Sequence, residues 1–190
     1  GILQGGFPRE SNVVIEVGGV RTNFRMPDLL ALGLGGGSFV TDDGATVGPR
    51  SLGHRLVTEG IVFGGDVLTA TDIVVANGSI DIGDPSLVSG LDAKLVIRAS
   101  RRITEMLDHG IEKMKPSSDP MPVVLVGGGA VLVTGKMAAA SEVLRPEHAD
   151  VANAIGAAIA QIGGETERLV AYEKTPREQA LATVTAAATE

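Results

Sequence analysis

Val123-Val124-Leu125-Val126-Gly127-Gly128-Gly129-Ala130 is an apolar run that breaks off into three glycines. Leu32-Gly33-Leu34-Gly35-Gly36-Gly37-Ser38 makes the same break earlier in the chain. Consecutive glycines lose more conformational entropy on folding than other residues. They therefore mark backbone that must adopt positive φ or approach something a Cβ would exclude. A phosphate held by main-chain amides is the commonest such object. The run before Gly127 is apolar on both faces, which predicts a central strand flanked by helices.

Working outward, Val13 to Val17 and Val20 to Phe24 flank Gly18-Gly19 and predict a hairpin. Leu29 to Leu34 reads as a strand ending at the first glycine cluster, with Phe39-Val40 leading away from it. Asp43-Gly44 then turns the chain into Ala45-Thr46-Val47. Thr69 is a good N-cap and Asp72 suits the first turn of a helix over Ile73 to Ala76, which Asn77-Gly78 stops. From Leu91 to Lys115, Leu95, Ala99, Ile103, Met106, Leu107, Ile111 and Met114 recur at three-or-four spacing, with Pro116 just beyond. That spacing predicts the longest helix. Arg98, Arg101 and Arg102 fall off its apolar stripe, on what reads as a solvated face.

Pro146 opens another helix, with Val151, Ile155, Ala158, Ile159 and Ile162 on one side and the small residues Ala152, Gly156 and Ala160 on another, ending at Gly163-Gly164. Leu169 to Tyr172 reads as a last strand, and Thr175-Pro176-Arg177-Glu178 caps an alanine-rich terminal helix. With no repeats and no low-complexity linker, residues 1–190 read as a single α/β domain.

The chain has 16 Lys+Arg against 23 Asp+Glu, for a formal charge of −7. This speaks against a nucleic-acid footprint or an anionic membrane surface, so an anionic ligand must be held by local geometry. The absence of cysteine excludes disulfides, thiolate zinc sites and thiol nucleophiles, and suits a cytoplasmic enzyme. His54, His109 and His148 are scattered rather than at ligand spacing, and His54 reads as a surface loop residue. The 26 glycines are about twice the usual ~7% usage. The longest nearly apolar stretch, Val123 to Val133, falls well short of the ~20 residues a spanning helix requires.

Familiar phosphate motifs do not fit. Gly135-Lys136 is followed by Met137 and preceded by Ala130 where a Walker loop needs its first glycine. Ser38 and Leu132 stand where a dinucleotide fingerprint needs its third small residue. Val40 breaks a nucleophile elbow around Ser38. What remains is a glycine turn between antiparallel strands, whose successive N–H groups form an anion-binding nest, together with a bare glycine loop after a buried strand. The latter could lie along a ribose and α-phosphate.

That order of features resembles the actin-like, sugar-kinase-like ATPases. Five segments sharpen the likeness: Leu32 to Ser38, Val47-Gly48-Pro49-Arg50-Ser51, Leu68-Thr69-Ala70-Thr71-Asp72, Val124 to Gly129, and Ala152-Asn153-Ala154-Ile155-Gly156-Ala157-Ala158. From Val13 onward the chain resembles the C-terminal part of a hydantoin-utilisation A-type subunit of the hydantoinase/oxoprolinase family. Val-Gly-Pro-x-Ser and Thr-x-Thr-Asp are its least generic parts. Where many members carry Pro-Gly-Pro and Cys-Tyr-Gly, Gly53-His54-Arg55-Leu56-Val57 to Phe63-Gly64-Gly65 stands instead.

The resemblance implies a ribonuclease-H-like lobe, excised from a longer two-lobe ATPase and inactive alone. It also implies ATP and Mg2+ as cofactors, a small cyclic amide such as a hydantoin or 5-oxoproline as substrate, an N-terminal lobe supplying further groups, and a second subunit or homo-oligomer. Gly35, Gly36, Gly37 and Ser38 would contact phosphate, Gly127, Gly128 and Gly129 the nucleotide, Asn153 and Gly156 the adenine side, and Asp72 the magnesium ion. Each has a plainer reading: a hairpin turn, a strand-to-helix bend, close helix packing, and a helix cap. An ATP-driven reactivating or chaperone-like protein of the same fold, and a structural lobe with empty loops, are the rival functions.

Overall fold

Thr69 and Asp72 begin the short helix on which the core is built. The computed structural model describes residues 1–10, 15–17, 20–22, 27–160 and 166–189, and the chain divides into two units, Gly1–Val151 and Ala152–Glu190. In the first, β1 (Leu3–Gln4) pairs antiparallel with β2 (Phe7–Pro8), and β3 (Ile15–Val17) with β4 (Val20–Thr22). Val17 lies opposite Val20, as the hairpin reading requires; Gly18-Gly19, Val13, Val14 and Phe24 lie outside the described residues. β5 (Ser38–Thr41) pairs antiparallel with β6 (Thr46–Ser51) through a tight turn at Asp42–Gly44. Asp42 and Asp43 both take φ 53° and Gly44 φ 87°.

After β6 come α1 (Leu56–Glu59), α2 (Ala70–Ala76) and the 22-residue α3 (Ala93–Met114). α2 starts where Thr69 and Asp72 form a capping box, and Asn77 is its C-cap. α3 starts at Asp92, whose side chain accepts from the Lys94 N–H, and buries Val96, Ala99, Ile103 and Gly110. Ala99 and Ile103 belong to the stripe predicted by the three-or-four spacing, whose Leu95, Met106, Leu107, Ile111 and Met114 are half-buried, while Val96 and Gly110 lie outside that stripe. Arg101 and Arg102 stay on the exposed side, beside Glu105.

The main core joins these pieces: Val40 and Val47 from the hairpin, Ala70, Ile73 and Val74 from α2, Val96, Ala99 and Ile103 from α3, and Leu132. Covering a side chain the size of Ile73 or Ile103 stabilises by about 1.5–3 kcal/mol. A smaller cluster gathers Val62, Val75 and Val88 behind α2.

β7 (Met121–Val124) and β8 (Ala140–Leu144) form a parallel pair. A 3-10 turn, Gly128–Leu132, lies between them and packs on α2. The fold is thus mixed α/β, built from four two-stranded sheets among the described residues.

Four expectations are corrected. β7 has β8 as its partner among the described residues, and Val124 and Val126 are 44% and 52% exposed. The run before Gly127 is therefore half-covered rather than central. Leu29 to Leu34 forms no strand. Its Leu30 and Leu32 instead line an apolar groove with Leu107, Ile111 and Val123, and Gly110 leaves room for Leu32, whose Cδ1 would lie 2.8 Å from a Cβ there. Leu169 to Tyr172 is likewise irregular, with Leu169 and Tyr172 exposed. The helix expected from Pro146 is a 3-10 turn at Ala149–Val151 followed by α4 (Ala152–Ile159). Ile162 and Gly163-Gly164 lie outside the described residues. α4 and α5 (Arg177–Thr189) are the helices of the second unit.

Candidate functional site

The first glycine cluster is held by its carbonyls. The Gly36 carbonyl accepts from the Thr71 N–H at 2.9 Å and from the Thr71 hydroxyl at 3.0 Å, and the Gly37 carbonyl accepts from the Leu52 N–H at 3.0 Å. Gly35 and Ser38 close the bend reciprocally. The Ser38 N–H donates to the Gly35 carbonyl at 3.0 Å, and the Gly35 N–H donates to Ser38 Oγ at 2.9 Å. The N–H groups of Gly36 and Gly37 have no protein acceptor among the described residues, although Gly37 is buried. Buried amides are nearly always paired, so an unpaired one in a bend marks a place for water or a ligand.

The Cβ-free space here serves the protein itself. A Cβ on Gly36 would meet Thr71 Oγ1 at 2.8 Å, and one on Gly37 would meet Ser51 Oγ at 3.0 Å. Gly35 meets nothing within 4 Å. Ser38 is 1% exposed, and its hydroxyl accepts from Gly35, so it braces the bend from inside. Val-Gly-Pro-Arg-Ser acquires a structural reason as well. Gly48 takes φ 66°, and a Cβ there would lie 2.1 Å from the Gly33 carbonyl oxygen, so any side chain would push the strand off the bend. Arg50 lies over the Phe39 ring at 4.5 Å on the same hairpin.

The second cluster is open. Gly127 takes φ 74°, and nothing lies within 4 Å of a Cβ on Gly127, Gly128 or Gly129. The loop follows the carboxyl end of β7, the side of parallel strands where α/β proteins bind ligands. The Leu125 N–H donates to the Leu144 carbonyl at 2.9 Å and the Gly127 N–H to the Ala149 carbonyl at 2.7 Å. The Ala130 N–H donates back to the Gly127 carbonyl at 3.1 Å. Gly128 and Gly129 N–H have no protein acceptor among the described residues. The two clusters border one helix: Thr71 in the first turn of α2 holds Gly36, and Leu132, closing the second turn, packs with Ile73 and Val74.

Asp72 is fully buried. Its Oδ1 accepts from the Val62 N–H at 2.7 Å, and its Oδ2 accepts from the Thr69 N–H at 2.6 Å and the Thr69 hydroxyl at 2.7 Å. Three protein donors and no exposed surface leave a hydrated magnesium ion no approach, and the helix-cap reading describes this residue. No group of three metal-ligating side chains occurs among the described residues. Asn153 is exposed on α4 in the second unit, as is Gly156, and His54 is exposed in its loop.

Reading the residues in sequence missed Arg145. Its guanidinium donates to the Ala130 carbonyl at 3.2 Å and to the Val133 carbonyl, clasping the end of the second glycine turn. No local pattern announces it, because the contact spans a strand. No helix among the described residues is long and apolar enough to cross a membrane. Set against known proteins, the chain matches no family model, no curated protein and no solved structure.

Proposed function

We propose that this chain is the nucleotide-binding lobe of a cytoplasmic, ATP-dependent enzyme that opens small cyclic amides of the hydantoin or 5-oxoproline kind. In the intact protein it would belong to a ribonuclease-H-like ATPase core. The observation that carries the reading is the polarity of the Gly35–Ser38 bend: the Gly36 and Gly37 carbonyls are bound inside the protein while their amides are unpaired. A bend so arranged offers donors to an anion. The ordered motifs that resemble the hydantoinase/oxoprolinase family support ATP as the anion and ring opening as the reaction.

Gly36 and Gly37 would donate to phosphate oxygens, and the bare Gly128-Gly129 segment would lie along the nucleoside, where any side chain would intrude. ATP would supply the activation of the ring carbonyl, its γ-phosphoryl group passing to the carbonyl oxygen with ADP as the leaving group. Asp72 is not a magnesium ligand in this reading; the ion would reach the phosphates from a second lobe, which would also hold the ring, and a further subunit or second copy would complete the assembly.

Calorimetric titration of the intact protein with Mg2+ and ATP tests the binding, with Gly128→Val as the blocking variant because nothing in the fold packs at that position. Loss of binding is expected, together with ATP hydrolysis that rises only when a hydantoin or lactam is present. Binding that survives Gly128→Val, or hydrolysis indifferent to every cyclic amide tried, would overturn the proposal.

A further inference from the structure

We propose that Arg145 is a positioning residue for the Gly127–Gly129 loop, fixing the turn so that the Gly128 and Gly129 amides stay available to a nucleotide. The inference rests on the nucleotide-binding reading above and names what sets the geometry of that site.

Packing anchors the flanks of the loop, where Leu125, Leu132 and Val133 are buried, but not its glycines. With nothing within 4 Å of the Cβ positions of Gly127, Gly128 and Gly129, side-chain packing does not define their path. Main-chain bonds do: those inside the 3-10 turn, together with Gly127 N–H to the Ala149 carbonyl, Ala130 N–H to the Gly127 carbonyl and Val133 N–H to the Ala130 carbonyl at 3.2 Å. A five-residue 3-10 turn is weak by itself, because its i→i+3 bonds are poorly aligned.

Arg145 adds the missing constraint. It follows Leu144, the last residue of β8, and its two terminal nitrogens reach the Ala130 and Val133 carbonyls, the same two residues joined by the turn's last main-chain bond. Hydrogen bonds from a charged donor are roughly twice as strong as neutral ones. The planar guanidinium fork fixes the spacing of two acceptors, which an ammonium group does not. β8 thereby clasps the turn at its far end, while Ala149 holds its near end at Gly127. Gly128 and Gly129, between the two, keep their N–H groups outside the internal bonding. Glu147 lies beside His148, with Oε1 3.6 Å from Nε2, and no ion pair to a carboxylate competes for Arg145 among the described residues.

The test compares the intact protein with its Arg145→Ala and Arg145→Lys variants by amide hydrogen exchange and by calorimetric titration with ATP and Mg2+. The expected result is exchange at the Ala130 and Val133 amides accelerated about tenfold or more in Arg145→Ala, the ratio that one unit of log K represents. Exchange in α3 should be unchanged, affinity for ATP should fall by a similar factor, and Arg145→Lys should lie between. Unchanged exchange at Ala130 and Val133 would overturn the proposal. So would acceleration spread equally through α3, which marks a general stabiliser. If the unmodified intact protein binds no ATP while the exchange pattern behaves as expected, the clasp stands and the nucleotide reading fails.

Discussion

Thr71 donates twice to the Gly36 carbonyl, from its N–H at 2.9 Å and its hydroxyl at 3.0 Å, so the first turn of α2 and the first glycine bend are one unit. The same hydroxyl occupies the space a Gly36 side chain would need. Thr71→Ala should cost about 1–2 kcal/mol for the lost bond, and Gly36→Ala about 1–3 kcal/mol for overpacking. Because each change removes part of the other's penalty, the double variant should be more stable than the sum predicts, by about 0.5–3 kcal/mol. Urea denaturation of the four proteins reads this directly. Strict additivity would show that the contact is not formed.

Asp72→Asn should destabilise more than either change. The amide keeps one acceptor oxygen and turns two donors toward Val62 N–H or Thr69, so a buried N–H loses its partner whichever way the group flips. An uncompensated buried polar group costs about 1–3 kcal/mol, and the loss of the helix cap about 1 kcal/mol more. Denaturation midpoints and the protection of the Val62 amide check it.

Gly44 and Gly129 differ in surroundings, and substitution by alanine tells them apart. Gly44 has φ 87°, and a Cβ there would lie 2.5 Å from the Leu95 carbonyl oxygen of α3. Gly44→Ala should cost about 3 kcal/mol, combining roughly 1–2 for the left-handed backbone with roughly 1–3 for the clash. Gly129→Ala, in open space without positive φ, should leave stability within about 0.5 kcal/mol while weakening ATP binding. A stability loss at Gly129 like that at Gly44 would contradict the open-loop geometry.

Asp84 caps the 3-10 turn Pro85–Val88 and makes that cap sensitive to acid. The Ser86 hydroxyl, and then the Ser86 N–H, hold its carboxyl below the ordinary 3.8. A carboxyl lowered on folding contributes stability that is fully present above the unfolded value and is lost as pH falls through the folded one. The stability difference between the unmodified chain and Asp84→Asn should therefore be constant from pH 7 to about 5 and shrink only below the ordinary 3.8. Ser86→Ala should move the Asp84 titration, followed by carboxyl NMR, back upward.

Much of this fold can be read locally. The Thr69 and Asp72 pair marks the start of α2, and the spacing from Leu95 to Met114 marks α3, because capping and helical periodicity act within one or two turns. Leu29 to Leu34 misleads because an apolar run becomes a strand only where an edge is available, and pairing is a property of the partner. The same limit governs the site. The glycines at Gly35–Gly37 and Gly127–Gly129 are visible in sequence, but Thr71 and Ser51 filling the first cluster, and Arg145 reaching the second, come from elements far along the chain. Asp72 looks like a metal ligand until Val62 is seen to share it.

Each peptide unit carries one hydrogen-bonding group of either sign, and at Gly36 and Gly37 the negative one is already committed to Thr71 and Leu52. What the bend presents is therefore positive in character without any lysine or arginine. It selects by sign before size or shape: ammonium groups and metal cations find nothing to receive them, whereas carboxylates and phosphoryl oxygens do. In a chain of net charge −7, such a spot would attract anions against the surrounding field, through contact alone.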